Sequence, residues 1–151
     1  MIKTEKEYRQ CLQKLDEDME VIEKSRVALR KDGLTDDEIR TALEPSNAFH
    51  EQLNDEVSWY ERVKRREFGC VENLTDLGRV LIALRIANGI SQRQLAGRLS
   101  VDESQVSRDE RNEYHGITLE RAQKIVEALG EKIVVRVEDK PFRRAARTIA
   151  K

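Results

Sequence analysis

SQRQLAGRLSVDESQVSRDERN, residues 91–112, is the stretch whose reading decides the fold. It holds two helix starts. Ser91 with Gln94 three residues on has capping-box spacing, and Asp102 is followed at the same interval by Gln105. The pattern predicts a short helix over 91–99, a turn at Leu99-Ser100-Val101, and a second helix over 102–111. Leu95, Ala96, Leu99, Val101 and Val106 are its inward positions. Ala96 marks a close crossing of the two helices, where a larger side chain would clash. Gln92, Ser104, Ser107 and Arg108 point away from that core, with Glu103 at the exposed start of the second helix.

The polar face has a definite chemistry. Gln92 stands at a helix N-terminus, where a side-chain amide and free backbone N–H groups suit a phosphate oxygen. Arg108 can reach a guanine edge through two hydrogen bonds, worth roughly 1–3 kcal/mol of discrimination. Ser104 and Ser107 can bond bases or phosphates and leave room for a thymine methyl. Glu103 suits a cytosine amino group, or weakens nonspecific binding. The full candidate set for double-stranded DNA is Gln92, Arg93, Glu103, Ser104, Gln105, Ser107, Arg108 and Arg111.

Outward from the corner, Thr75 begins a helix to about Ala87, with Leu77, Val80, Leu81, Leu84 and Ile86 as core positions. Asn88-Gly89 ends it. After the polar connection 112–117, Thr118 caps a helix whose stripe is Leu119, Ala122, Ile125, Val126 and Leu129, and Gly130 terminates it. Residues 132–138, KIVVRVE, then alternate as a strand does, with Ile133, Val135 and Val137 on one side. A lone strand is unstable, so this one needs a partner, in its own chain or a second copy. Residues 140–151 are basic, with no acid, and form a disordered tail, or a helix or arm that touches phosphates.

These four helices in order resemble the Cro/lambda-repressor type of helix-turn-helix domain, also called the XRE family. SQRQLAGRLSVDESQVSRDER looks like its core motif. The resemblance implies a five-helix bundle that binds DNA, with Gln92, Glu103, Ser104, Ser107 and Arg108 on the contact positions. Two residues depart from the pattern. Ser100 stands where the family usually has Gly, and Asp109 where it usually has an apolar residue. Asp109 is therefore expected either on a rotated helix end or paired with a base such as Arg111 or Arg121.

Upstream, Thr4 and Glu7 begin a long helix to about residue 31. Its apolar positions Tyr8, Leu12, Leu15, Met19, Ile22 and Leu29 form a heptad seam. Gly33 stops it, and Thr35 begins a short helix that is expected to end before Pro45. Ser46 or Asn47 then caps a third helix to about Glu67, with Phe49, Leu53, Val57, Tyr60 and Val63 inward. The simplest arrangement is a helical hairpin, either a solvated stalk or a module for oligomerisation or partner binding. Two segments here, IKTEKEYRQCLQKLDE and DEVSWYERVK, resemble the N-terminal region of HigA-like antitoxins. That resemblance implies a dimeric repressor that also binds a toxin protein, often an RNA-cleaving one.

Charge divides the chain. Residues 1–70 carry 13 Lys+Arg against 17 Asp+Glu, a net of −4, and residues 71–151 carry 15 against 12, a net of +3. The second half can approach phosphates. His50 and His115 fit no metal-ligand spacing, and Cys11 and Cys70 fit no metal or redox spacing. Neither a Gly-rich phosphate loop nor a nucleophile elbow is present, so no enzyme activity, cofactor or metal is expected. No apolar run is long enough for a membrane span, and the first residues lack a signal-peptide core, which points to a cytoplasmic protein.

The expected fold is mostly α. Residues 1–68 form the hairpin, 74–130 the five-helix lambda-repressor-like domain, 131–139 one short C-terminal β-strand and 140–151 the tail. The expected function is sequence-specific DNA binding as a homodimer, a transcriptional repressor. The alternatives are an antitoxin, or an adaptor that binds proteins and not DNA.

Overall fold

The computed structural model describes residues 1–136. It opens with two long helices, α1 (Glu5–Lys31) and α2 (Asp36–Lys64), packed as a hairpin. Counted with a single 3-10 turn over Leu74–Asp76, five helical segments follow: the turn, α3 (Leu77–Ala87), α4 (Gln92–Leu99), α5 (Glu103–Arg111) and α6 (Leu119–Leu129). The capping boxes at Thr4, Thr35 and Ser91 all form, and Thr118 Oγ1 accepts from Arg121 N at 3.2 Å. The expected cap at Thr75 does not form: Thr75 lies inside the 3-10 turn, and α3 starts from Asp76 without a side-chain cap.

The hairpin corrects the sequence reading in two ways. First, α2 is continuous through Pro45, so Ser46 and Asn47 are mid-helix and not caps. Proline removes the amide that would bond the Thr41 carbonyl. Both residues are exposed, so that carbonyl stays on the solvent side, where the loss is cheap. Second, the seam is narrower than the apolar pattern. Leu15 and Ile22 are buried, but Leu12, Met19 and Phe49 are exposed. The α1 face toward α2 runs instead through Tyr8, Cys11, Leu15, Asp18 and Ile22, half a step round the helix. Lys14 covers Phe49, its ammonium 4.8 Å from the ring centroid.

One hydrophobic cluster joins the base of the hairpin to the helices beyond it. Ile2, Leu15, Val57, Tyr60 and Val63 belong to the same core as Leu81, Leu95, Val106 and Ile125. Tyr8 and Tyr60 stack there, centroids 4.9 Å apart, and their hydroxyls donate to Glu61 and Glu5. Burial, with Glu5 beside it, pushes the Tyr60 phenol up to about 12. The far end of the hairpin has its own small cluster of Ile22, Ile39 and Leu43.

The expected strand does not form within residues 131–136, and residues 137–139 lie outside the described ones, as does the tail 140–151. The reason is a missing partner. A strand is defined by its ladder, and among the described residues no other strand offers one.

Candidate nucleic-acid interface

The corner at 91–112 is held by backbone chemistry first. Ser91 Oγ accepts from Gln94 N at 3.1 Å, and Gln94 Oε1 accepts from Ser91 N at 2.8 Å. Ser100 ends α4 in the left-handed region, φ 55° and ψ 43°, which lets Val101 N reach back to the Ala96 carbonyl at 3.0 Å. Leu95 and Ala96 are buried under this turn, as the spacing required. Asp102 has the extended backbone of an N-cap, but its side chain caps nothing.

α5 is fixed on two sides. Towards α3, Glu110 is fully buried and pairs with the equally enclosed Arg85. Arg85 Nη2 lies 2.6 Å from Glu110 Oε2, and Nε bonds the other carboxylate oxygen. The guanidinium also donates to the carbonyls of Ile90 and Lys3, each at 2.9 Å. Buried charges persist only when paired and hydrogen-bonded, and this pair has partners on three segments. Towards α6, Asp109 Oδ2 lies 2.5 Å from Arg121 Nη2. With its amide oriented carbonyl-inward, Gln105 accepts from the same nitrogen at 2.8 Å. Of the two possible partners for Asp109, the structure selects Arg121 and leaves Arg111 exposed.

These restraints sort the candidate contacts. Ser104, Ser107, Arg108 and Arg111 have i, i+3, i+4, i+7 spacing and share one stripe of α5. Ser104, Arg108 and Arg111 are exposed and Ser107 is half-buried. Arg108 Nε donates to the Ser104 carbonyl at 3.2 Å, and its terminal nitrogens hold no hydrogen bond among the described residues. Arg93 and Glu103 are exposed as well. Gln105 is half-buried and engaged with α6, so it does not join the outward stripe. Gln92 is half-buried, and its Nε2 donates to Glu110 Oε2 at 2.8 Å. The amide is thereby oriented by the buried pair, with a second N–H to spare.

Sequence reasoning missed Arg85 and Glu110, which aim Gln92 and lock α5. The signal was present: Arg85 is the one charge in the apolar run VLIALRIA, residues 80–87. α3 is buried from Leu81 through Ile86, so that charge needs a buried partner. The hairpin also comes close to the corner. A cleft of about 250 Å³ is lined by Lys3, Tyr60, Lys64, Arg85, Gln92 and Glu103.

Residues 81–135 match the family model for the helix-turn-helix. This segment is a helix-turn-helix domain of the Cro/lambda-repressor type. The chain thus carries a DNA-binding regulatory domain, with α4 and α5 as the two helices of its motif. No curated protein and no solved structure matches the chain. The segments that resemble HigA-like antitoxins, residues 2–17 and 55–64, lie outside the matched helix-turn-helix domain. No helix among the described residues is long and apolar enough to cross a membrane.

Proposed function

We propose that the protein is a sequence-specific transcriptional repressor that acts as a dimer. α5 enters the major groove, Ser104, Ser107, Arg108 and Arg111 face the base edges and flanking phosphates, and Gln92 with the first N–H groups of α4 sets register on the backbone. Arg93 adds a phosphate contact, and Glu103 limits nonspecific affinity. Two protomers read half-sites about one helical turn apart. The observation that carries this reading is the division of α5. Its inward residues are tied to α3 and α6, while one polar stripe with two arginines has no side-chain hydrogen bond or ion pair to another element among the described residues.

The test is selection from random duplex DNA by the full chain, followed by titration of the enriched site. A palindromic site is expected. Arg108→Ala should weaken binding to it by about tenfold or more and relax preference at one base pair per half-site. Selection that enriches no site would sink the reading and leave the protein-binding adaptor in its place.

A second reading, the antitoxin, is favoured by one observation. The hairpin leaves Met19, Val21 and Val27 exposed on an otherwise charged α1. Co-expression with the product of a neighbouring small gene, followed by Met19→Lys and Val27→Lys, tests it. Unchanged binding to both variants would remove this surface from the argument.

A further inference from the structure

The net charge of the first half hides a second division inside the hairpin. Residues 1–9 and 61–67 form its base, the end that packs on the helix-turn-helix through Ile2 and Val63. They carry 7 Lys+Arg against 4 Asp+Glu, a net of +3, whereas residues 10–60 carry 6 against 13, a net of −7. The four acids of the base are all engaged within it. Glu7 accepts from the Lys3 amide at 2.8 Å, Glu5 from the Tyr60 hydroxyl at 3.2 Å and Glu61 from the Tyr8 hydroxyl at 2.7 Å, and Glu67 pairs with Arg65 at 3.0 Å. The Lys3 ammonium has no ion pair among the described residues, and the exposed Lys64 has only a 3.8 Å approach to Glu5.

These two lysines stand beside the DNA-reading corner. The Lys3 carbonyl accepts from Arg85 Nη2 at 2.9 Å, and the carboxylate paired with that guanidinium orients Gln92. The hairpin supplies Lys3 and Lys64 to the 250 Å³ cleft, and the corner supplies Ser91, Gln92 and Glu103, at the starts of α4 and α5.

We propose that the base of the hairpin is a second DNA contact, in which Lys3 and Lys64 hold backbone phosphates flanking the base pairs that α5 reads. The proposal rests on the DNA-binding reading above and extends the footprint beyond the helix-turn-helix. Two observations choose duplex DNA as the occupant. The cleft is continuous with the start of α4, where Gln92 meets the backbone in that reading. The charge gradient draws only the base of the hairpin toward a polyanion and turns the acidic shaft away from it. Glu103, the acid that the corner brings to the cleft, belongs to α5 and enters the groove with it. Contacts to phosphates add affinity and salt dependence without base preference.

The experiment is titration of the full chain over a salt series, with the selected duplex and with a random-sequence duplex of the same length. Lys3→Gln with Lys64→Gln should weaken binding to both by about tenfold. It should also lower the slope of log affinity against log salt by about two per protomer. The base preference found by selection should not change, nor the helix content by far-UV circular dichroism. Lys24→Gln with Arg40→Gln removes the same charge from the acidic part of the hairpin and should alter neither affinity nor slope. Trimming the selected duplex to the base pairs that α5 reads should erase the difference between the wild type and the Lys3/Lys64 variant. An unchanged slope in that variant overturns the proposal, as does an equal loss from the Lys24/Arg40 pair or a difference that survives trimming. The two readings fail separately. A chain that selects a site yet keeps its slope without the two lysines loses the second contact and keeps the repressor. A chain that selects no site, but whose hold on random duplex falls with the two lysines, keeps the contact and loses the repressor. A chain that binds neither duplex overturns both.

Discussion

Gly78 lies where α3 passes beneath the connection between α5 and α6. A Cβ built there would sit 1.8 Å from the Glu113 carbonyl oxygen, a backbone atom that cannot swing aside. Glu113 and Tyr114 already hold left-handed conformations, with φ 49° and 53°. Gly78→Ala should therefore lower stability by about 3 kcal/mol or more, read as a fall in the midpoint of urea unfolding. An unchanged midpoint would mean that the connection can move away. Ser100 poses the opposite case. Its left-handed backbone costs an L-residue about 1–2 kcal/mol, part of which glycine would give back as chain entropy. Ser100→Gly should raise stability by about 0.5–1 kcal/mol, with DNA affinity unchanged. The sequence displayed this anomaly as a serine in a glycine's place. Gly78 carried no such mark, because the segment it touches is 35 residues away in the chain.

Among the elements, α5 depends on a pair that contributes little net stability intact and costs a great deal when broken. Arg85→Met alone leaves Glu110 charged and buried, and should cost about 3–5 kcal/mol. Arg85→Met combined with Glu110→Leu removes both charges and should recover most of that loss. It also releases Gln92, so the double variant should fold well yet bind DNA less tightly than the wild type. A double variant with full affinity would show that Gln92 needs no such support. Caps and periodicity made most element starts legible: Thr4, Thr35, Ser91 and Thr118 act as their spacing predicted. Pro45 misled because its cost depends on which way one carbonyl faces, and local pattern does not carry that information. Leu12, Met19 and Phe49 misled for a related reason. A helix can be apolar where nothing packs, and only the partner's placement decides which stripe is covered.

Across the whole molecule, the candidate site divides into a legible part and a hidden one. The outward stripe of α5 followed from helical spacing and was readable. The inward ties of Gln92, Gln105 and Asp109 required knowing which helices flank α5. Ile2 shows the same limit at the largest scale. It lies in a segment with no periodicity, yet only 2% of its surface is exposed, and it joins the core shared with the helix-turn-helix domain. Ile2→Ala should cost about 2–5 kcal/mol and lower the melting temperature of the whole chain in one transition. Two separate transitions, with only the hairpin shifted, would contradict a shared core.

That shared core bears on how such a chain can be recombined. A DNA-reading unit that closes its own interior can be moved as a cassette between partner domains. Here the guanidinium that fixes α5 takes one of its acceptors, the Lys3 carbonyl, from the opening segment, and Ile2 beside it fills the interior. A graft of the helix-turn-helix half onto a foreign body would leave an unmet donor and a void at its centre. The hairpin and the DNA-reading half are therefore expected to be exchanged together, as one heritable block.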